Sequence, residues 1–186
     1  ISGRGRLGRP WVSEPGNMYA SVLLLDPAPV VKLGTLPFVA ALALYATLSE
    51  LPGLKREALK LKWPNDLLVN SAKISGILLE NAVLPNNTLA VVCGFGVNVA
   101  HHPDTTLYPA TDLHSLGIRT TAAQLHLALA NNFASLLHVW NSGQNFAAIR
   151  SEWLAHAANL GREITVNLPT ERLTGKFIDM DSFGCL

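Results

Sequence analysis

Between Leu36 and Leu48 the chain is apolar almost without interruption (LPFVAALALYATL), and a segment of that kind has to be taken out of water. It is rich in alanine and leucine, has helical length as far as Leu51, and is stopped by Pro52-Gly53. It also falls short of the roughly 20 residues that a membrane span needs, so it is expected to form a helix buried in a core. The rest of the 186 residues must supply the surfaces that cover it. That length suits one medium domain, or one domain and the start of a small second one. A hydrophobic share of 49% against 15% charged excludes a disordered chain. The formal net charge of +1 leaves any affinity for phosphate to local clusters of cations. Two distant cysteines, Cys93 and Cys185, make neither a disulfide framework nor a zinc knuckle and point to a reducing, cytoplasmic setting. Both ends are expected to continue in a longer polypeptide: Ile1 is not a starting methionine, and the last residues are strand-like.

The elements around that helix are mostly strands. Asn17 to Leu25 has strand character and Asp26 to Pro29 breaks it. Leu59 to Trp63 alternates apolar and basic residues. Leu67 to Val69 and Lys73 to Glu80 are expected to form a hairpin through Asn70-Ser71-Ala72. Thr88 to Val99 is an apolar run of the kind found in strands buried on both faces. His101 to Leu113, with two prolines, is a loop. Thr120 to Trp140 repeats leucine and alanine at helical spacing behind a Thr120-Thr121 cap, and Phe146 to Ala158 is another helix. From Arg162 the texture changes to short strands, which places a boundary near Asn159. The fold class is α+β, a mixed or antiparallel sheet backed by helices on one face, with domains 1–158 and 159–186.

Four segments carry chemistry. In Gly3-Arg4-Gly5-Arg6-Leu7-Gly8-Arg9-Pro10-Trp11, glycines let the backbone approach a ligand closely. Its arginines offer forks of donors that match carboxylate and phosphate oxygens. Taken alone, this loop equally fits a basic arm on nucleic-acid phosphates; it is neither a P-loop nor a dinucleotide fingerprint. In Lys62-Trp63-Pro64-Asn65-Asp66, Asp66 suits a Mg²⁺ and Asn65 a phosphate, although an Asn-Asp turn after a strand reads the same way. Lys73 opens a strand that contains Gly76, so a compact cation stands beside a point of close approach; a surface lysine on a hairpin is the plain alternative. In Gly94-Phe95-Gly96-Val97-Asn98, the glycines open a floor for a flat ring and Asn98 offers a donor and an acceptor, or the segment is simply a strand end.

Together and in this order, GRGRLGRPW, KWPNDLLVNSAKISGILLE, GFGVNV and the closing PATDL of the proline-rich loop resemble the biotin protein ligase family, from Gly3 to about Trp153. The resemblance implies a catalytic domain like those of class II aminoacyl-tRNA synthetases, followed by the start of an SH3-like β-barrel. It implies activation of biotin with ATP to biotinyl-5′-AMP, and transfer to a lysine of the biotin carboxyl carrier protein of acetyl-CoA carboxylase or a related carboxylase. The roles it carries onto this chain are biotin contacts at Gly3, Arg4, Gly5, Arg6, Lys73 and Gly76. ATP contacts fall at Arg6, Arg9, Trp11, Lys62, Asn65, Asp66 and Asn98, Mg²⁺ at Asp66, and the catalytic cations are Lys73 and Arg6. The implied partners are the carrier protein and a second copy in a homodimer, with neither membrane nor nucleic acid. The family's upstream Ser/Thr-Asn strand and glutamine are not in this sequence. A lipoate or octanoate ligase is the nearest rival, without the GRGRxGRxW and KWPND pairing.

Overall fold

The computed structural model describes residues 3–5, 8, 10–104, 108–168 and 170–186. Five antiparallel strands form the main sheet in the order β3-β7-β6-β5-β4. These are β3 (Met18–Leu25), β4 (Leu59–Lys62), β5 (Asp66–Val69), β6 (Ala72–Val83) and β7 (Leu89–Val97). Asn70 and Ser71 carry φ of 49° and 67° between β5 and β6, the two-residue turn whose twist suits a hairpin. Ala72 already belongs to β6, so the connection is one residue tighter than the sequence pattern implied.

Among the described residues, two helices cover one face of this sheet and a third packs on them. The helix α1 (Leu36–Ser49) buries Leu36, Val39, Ala40, Ala43, Leu44 and Leu48 to within 1% of full burial, so it is enclosed on several sides at once. With the 3₁₀ turn ahead of it, Val30–Ser49 is long and apolar enough to cross a membrane by length and composition, yet most of it is buried inside the protein. The helix α2 (Ala122–Trp140) starts with a capping box between Thr121 and Gln124. Trp140 and Thr35 tie it to α1 by a buried indole N–H to hydroxyl bond of 2.9 Å. The helix α3 (Phe146–Ala155) adds Phe146, Ile149 and Trp153 to the same core.

Two expectations change. β7 is not buried on both faces: Val92 is 36% exposed, and Gly94 and Gly96 are half-exposed. The helices pack on one side only, so the other side of an antiparallel sheet stays open. The glycine/arginine segment, read as a loop, forms a two-residue ladder between β1 (Gly3–Arg4) and β2 (Pro10–Trp11).

After α3 the backbone of His156 to Ala158 bonds to Leu61 on the β4 edge. The hairpin of β8 (Glu163–Asn167) and β9 (Arg172–Lys176) follows and is largely exposed. Beyond it Phe177 and Met180 return to the main hydrophobic core. Gly184 closes this tail: its carbonyl accepts the Trp63 indole N–H at 2.9 Å, and a Cβ on it would overlap the Phe38 ring.

Candidate active site

One row of register partners crosses the open face: Lys62, Asp66, Gly76, Gly96 and Tyr19. Partners in register point to the same side of a sheet, so a base strip of two glycines is flanked by an acid, a base and a phenol. Lys73 joins the row through an irregularity. Leu67 pairs with Ser75, but Leu68 pairs with Lys73, so Ile74 is an extra residue. Without that bulge Lys73 would point to the opposite face from Gly76. With it, Lys73 Nζ lies 2.7 Å from Asp66 Oδ1.

The glycine strip is occupied by the chain's own ring. The Trp11 indole lies across Gly76 and Gly96, and a Cβ would come within 2.9 Å of it at the first and 2.7 Å at the second. Lys73 Nζ stands 5.4 Å from the same ring's centroid, within cation–π range. Among the described residues the Trp11 Nε1–H is enclosed without a hydrogen-bond acceptor. Such a donor is costly to bury unpaired, and a ligand oxygen would satisfy it. Of the two glycines expected to open a floor, Gly96 lies under the Trp11 ring and Gly94 does not; the second glycine under the ring is Gly76. Gly3 follows from the β1–β2 ladder: it pairs with Trp11 and donates its N–H to Ser13 Oγ at 2.8 Å. Tyr19 holds the next stretch down, donating its hydroxyl to the Val12 and Glu14 carbonyls. Burial raises its pKa above the ordinary phenol value.

The remaining sequence-derived positions divide. Lys62 sits 4.6 Å from the centroid of the Tyr108 ring. The Asn65 side chain donates to the Ile77 carbonyl, so its amide is engaged with β6 rather than held out on the face. Asn98 is 4% exposed and donates its Nδ2–H to the Thr111 carbonyl at 3.0 Å, which makes it an internal strut in this conformation. Arg4 is exposed and Gly5 half-buried. Arg6 and Arg9 lie outside the described residues. Among the described residues no group of three His, Cys, Asp or Glu side chains is arranged to hold a metal. Cys93 is buried, and burial pushes its thiol up to about 12, so it offers no nucleophile.

Sequence reasoning missed two supports. Asn17 is buried, and its Oδ1 accepts the N–H groups of Val99, Ala100 and His101, which fixes the chain as it leaves β7. The signal was an Asn just behind Gly16 at a strand start, a common capping arrangement. Asp112 is 2% exposed and accepts bonds from Ser115 N, Ser115 Oγ and His102 Nδ1. Burial alone would raise its pKa, but the bonds from Ser115 and His102 outweigh that and hold the carboxyl below its usual value. The aspartate was visible in the PATDL stretch, but nothing local marked it as buried.

The chain is similar to known proteins in sequence and in fold. The model of the biotin/lipoate A/B protein ligase family matches residues 1–98. A biotin–(acetyl-CoA-carboxylase) ligase of Paracoccus denitrificans is 35% identical over the whole chain, which spans 79% of that relative. The bifunctional ligase/repressor BirA of Bacillus subtilis is 27% identical, and the chain spans 58% of it. The biotin protein ligase of Aquifex aeolicus, solved with biotin and ATP, superposes with a TM-score of 0.82 at 29% identity, over 98% of this chain and 75% of that one. The chain belongs to the biotin/lipoate A/B protein ligase family.

Proposed function

We propose that within this family the chain acts as a biotin protein ligase: it activates biotin with ATP and passes biotin to a lysine of a biotin carboxyl carrier protein. The observation that carries this reading is the Lys73–Asp66 pair beside the Trp11-covered glycine strip. A cation, an acid and an apolar ring floor meet on the open face, as an acyl–nucleotide site requires. The relatives' names and the biotin- and ATP-bound neighbour support the same substrate choice.

In the first step a biotin carboxylate oxygen attacks the α-phosphorus of ATP. The bond to the β-phosphate oxygen breaks, and pyrophosphate leaves. In the second, the acceptor amine attacks the acyl carbon, loses a proton, and expels AMP. Negative charge builds on phosphate oxygens in the first step and on the acyl oxygen in the second. Lys73 and Arg6 neutralise that charge, which is electrostatic catalysis without a covalent protein intermediate. Gly3, Arg4, Gly5, Arg6, Lys73 and Gly76 are assigned to biotin, and Arg6, Arg9, Trp11, Lys62, Asn65, Asp66 and Asn98 to ATP. Asn65 and Asn98 each give one amide N–H to a backbone carbonyl, of Ile77 and of Thr111, and the assignment uses the second N–H or Oδ1 of each. A Mg²⁺ arriving on the triphosphate needs a single protein carboxylate, here one whose Oδ1 is paired with Lys73 Nζ, since the ion keeps waters and substrate oxygens as its other ligands. Asp66 would hold it, and the ion would screen the phosphate charge.

The same reading treats residues 1–158 as a class II synthetase-like catalytic unit and 159–186 as the start of an SH3-like barrel. It takes the setting to be cytoplasmic, in keeping with two unpaired cysteines, and includes a homodimer. The test is ATP–pyrophosphate exchange. Exchange dependent on biotin, with lipoate inert, is expected; exchange driven by lipoate, or none with biotin, refutes the proposal.

A further inference from the structure

Lys73 is held in place from both sides of its backbone. On one side it pairs with Leu68 of β5. On the other, the β6–β7 ladder begins only at Ser75 and Val97, so β7 does not reach it. A short strap takes that position instead. Lys73 N donates to the Pro109 carbonyl at 2.7 Å, and Thr111 N donates to the Lys73 carbonyl at 2.9 Å. These two bonds form a parallel bridge centred on Ala110. The Asn98 side chain braces the strap from behind through the Thr111 carbonyl.

The strap ends in a cluster of ionisable groups that the site chemistry does not use. Asp112 is 2% exposed, and a buried carboxylate is expensive unless its lone pairs are met. They are met by Ser115 N at 2.7 Å, Ser115 Oγ at 2.9 Å and His102 Nδ1 at 2.5 Å. His102 in turn follows the three residues whose N–H groups converge on Asn17. A continuous line of fixed groups therefore runs from Asn17 through His102 and Asp112 to the strap and the Lys73 main chain. Two bonds between strap and strand could form with no buried carboxylate at all. The cost of one is understandable if the position of Pro109–Thr111 has to be held closely.

We propose that the His102–Asp112–Ser115 cluster is a positioning device for Lys73, locking the strap that sets where the ammonium stands on the open face. The inference rests on the reading that Lys73 acts in biotin activation. His102 touches no reacting atom; it acts through Asp112 and the strap. Misplacing a catalytic group by about 1 Å can cost on the order of 10²-fold in rate, so loss of one anchor is expected to lower kcat rather than binding.

The test compares the wild type with His102→Ala and His102→Asn, since an asparagine amide can put an N–H where Nδ1 stands. Two measurements are made on the full chain: biotin-dependent ATP–pyrophosphate exchange, and amide hydrogen exchange at Lys73, Thr111 and, as a core reference, Val97. Expected for His102→Ala are faster amide exchange at Lys73 and Thr111 with Val97 unchanged, and a kcat lower by about tenfold or more at little change in the KM for ATP. His102→Asn restores both. The proposal is overturned if Lys73 and Thr111 exchange as in the wild type, if Val97 accelerates equally, or if the rate loss lies wholly in KM. A wild type without biotin-dependent exchange refutes the activity instead, and the amide measurement still decides whether the cluster fixes the strap.

Discussion

Adding a single methyl at Gly96 tests the seat of Trp11 directly. A Cβ there would stand 2.7 Å from Trp11 Cε2, 2.8 Å from Cζ2 and 2.9 Å from Nε1, all closer than atoms pack. The backbone at Gly96 has no positive φ, so alanine fits the strand and gains about 0.5–1 kcal/mol over glycine in conformational entropy. The ring must therefore move. Because the same indole also rests on Gly76, lifting it at one glycine opens a gap at the other. A gap of about 0.5–1 Å forfeits a quarter to a half of each contact, and overpacking of this sort costs about 1–3 kcal/mol. Set against the backbone gain, Gly96→Ala should change global stability little. On the proposed assignment of Gly76 to biotin and Trp11 to the nucleotide, it should weaken binding of both by about 1–3 kcal/mol, roughly 5- to 150-fold. Titration calorimetry of biotin reads this directly. Gly94→Ala, two residues away on the same face, meets only the Leu78 carbonyl at 3.4 Å and should bind as the wild type does. In a Trp11→Ala background the Gly96 methyl has nothing to strike, so its penalty should vanish. Equal affinities for Gly96→Ala and Gly94→Ala, or a penalty that persists without Trp11, would refute the reasoning.

Three further outcomes can be measured independently. Lys73→Ala removes the ammonium placed by the bulge and should lower kcat for biotin-dependent exchange by about 10²–10³-fold; a wild-type rate would take Lys73 out of the mechanism. Asp112, with its folded pKa below the unfolded value of about 3.9, contributes stability that is present above that value and lost as pH falls through the folded one. The urea midpoint difference between wild type and Asp112→Asn should therefore be full at neutral pH and shrink under acid, and a difference that grows on acidification contradicts the sign. Thr35→Val deprives the buried Trp140 indole N–H of its acceptor and should cost about 1–3 kcal/mol of unfolding free energy, with Thr35→Ser restoring it; an unaltered urea midpoint for the valine variant would show that the bond contributes nothing.

The fold was legible where local chemistry decides local shape. A helix such as α1, apolar on every side, could only be a core element. A threonine cap at Thr120-Thr121 is legible without the Gln124 half of its capping box, and Asn70-Ser71-Ala72 reads as a turn between two strand-like runs, one residue longer than the turn observed. The faces of the sheet were harder. The run from Thr88 to Val99 has the composition of a doubly covered strand, but composition cannot say where helices pack. Here small residues at Gly94 and Gly96 made an uncovered face look buried. The candidate site was legible as a set of residue types, and less so as a set of orientations. Asn65 and Asn98 have side chains that suit a ligand, and both spend them on backbone carbonyls. An amide that serves the fold and one that serves a ligand look identical in sequence.

The bulge at Ile74 shows why orientation escaped. Residues of a strand alternate between faces, so a regular pairing of β5 with β6 would put Lys73 and Gly76, three positions apart, on opposite sides. Lys73 would then point its charge toward the helices, into the layer occupied by Leu67 and Ile77, where an unpaired ammonium is far too costly to keep. One inserted residue reverses this, sending Lys73 to the carboxylate of Asp66 and leaving both Ile74 and Ser75 fully buried. The irregularity is thus selected twice, once by the energetics of charge and once by the site. The KISG stretch contains every residue involved without showing which of its two neighbours is the extra one. Only the strap at Pro109–Thr111, from a distant part of the chain, closes the backbone bonds of Lys73 that the bulge and the late start of the β7 ladder leave open.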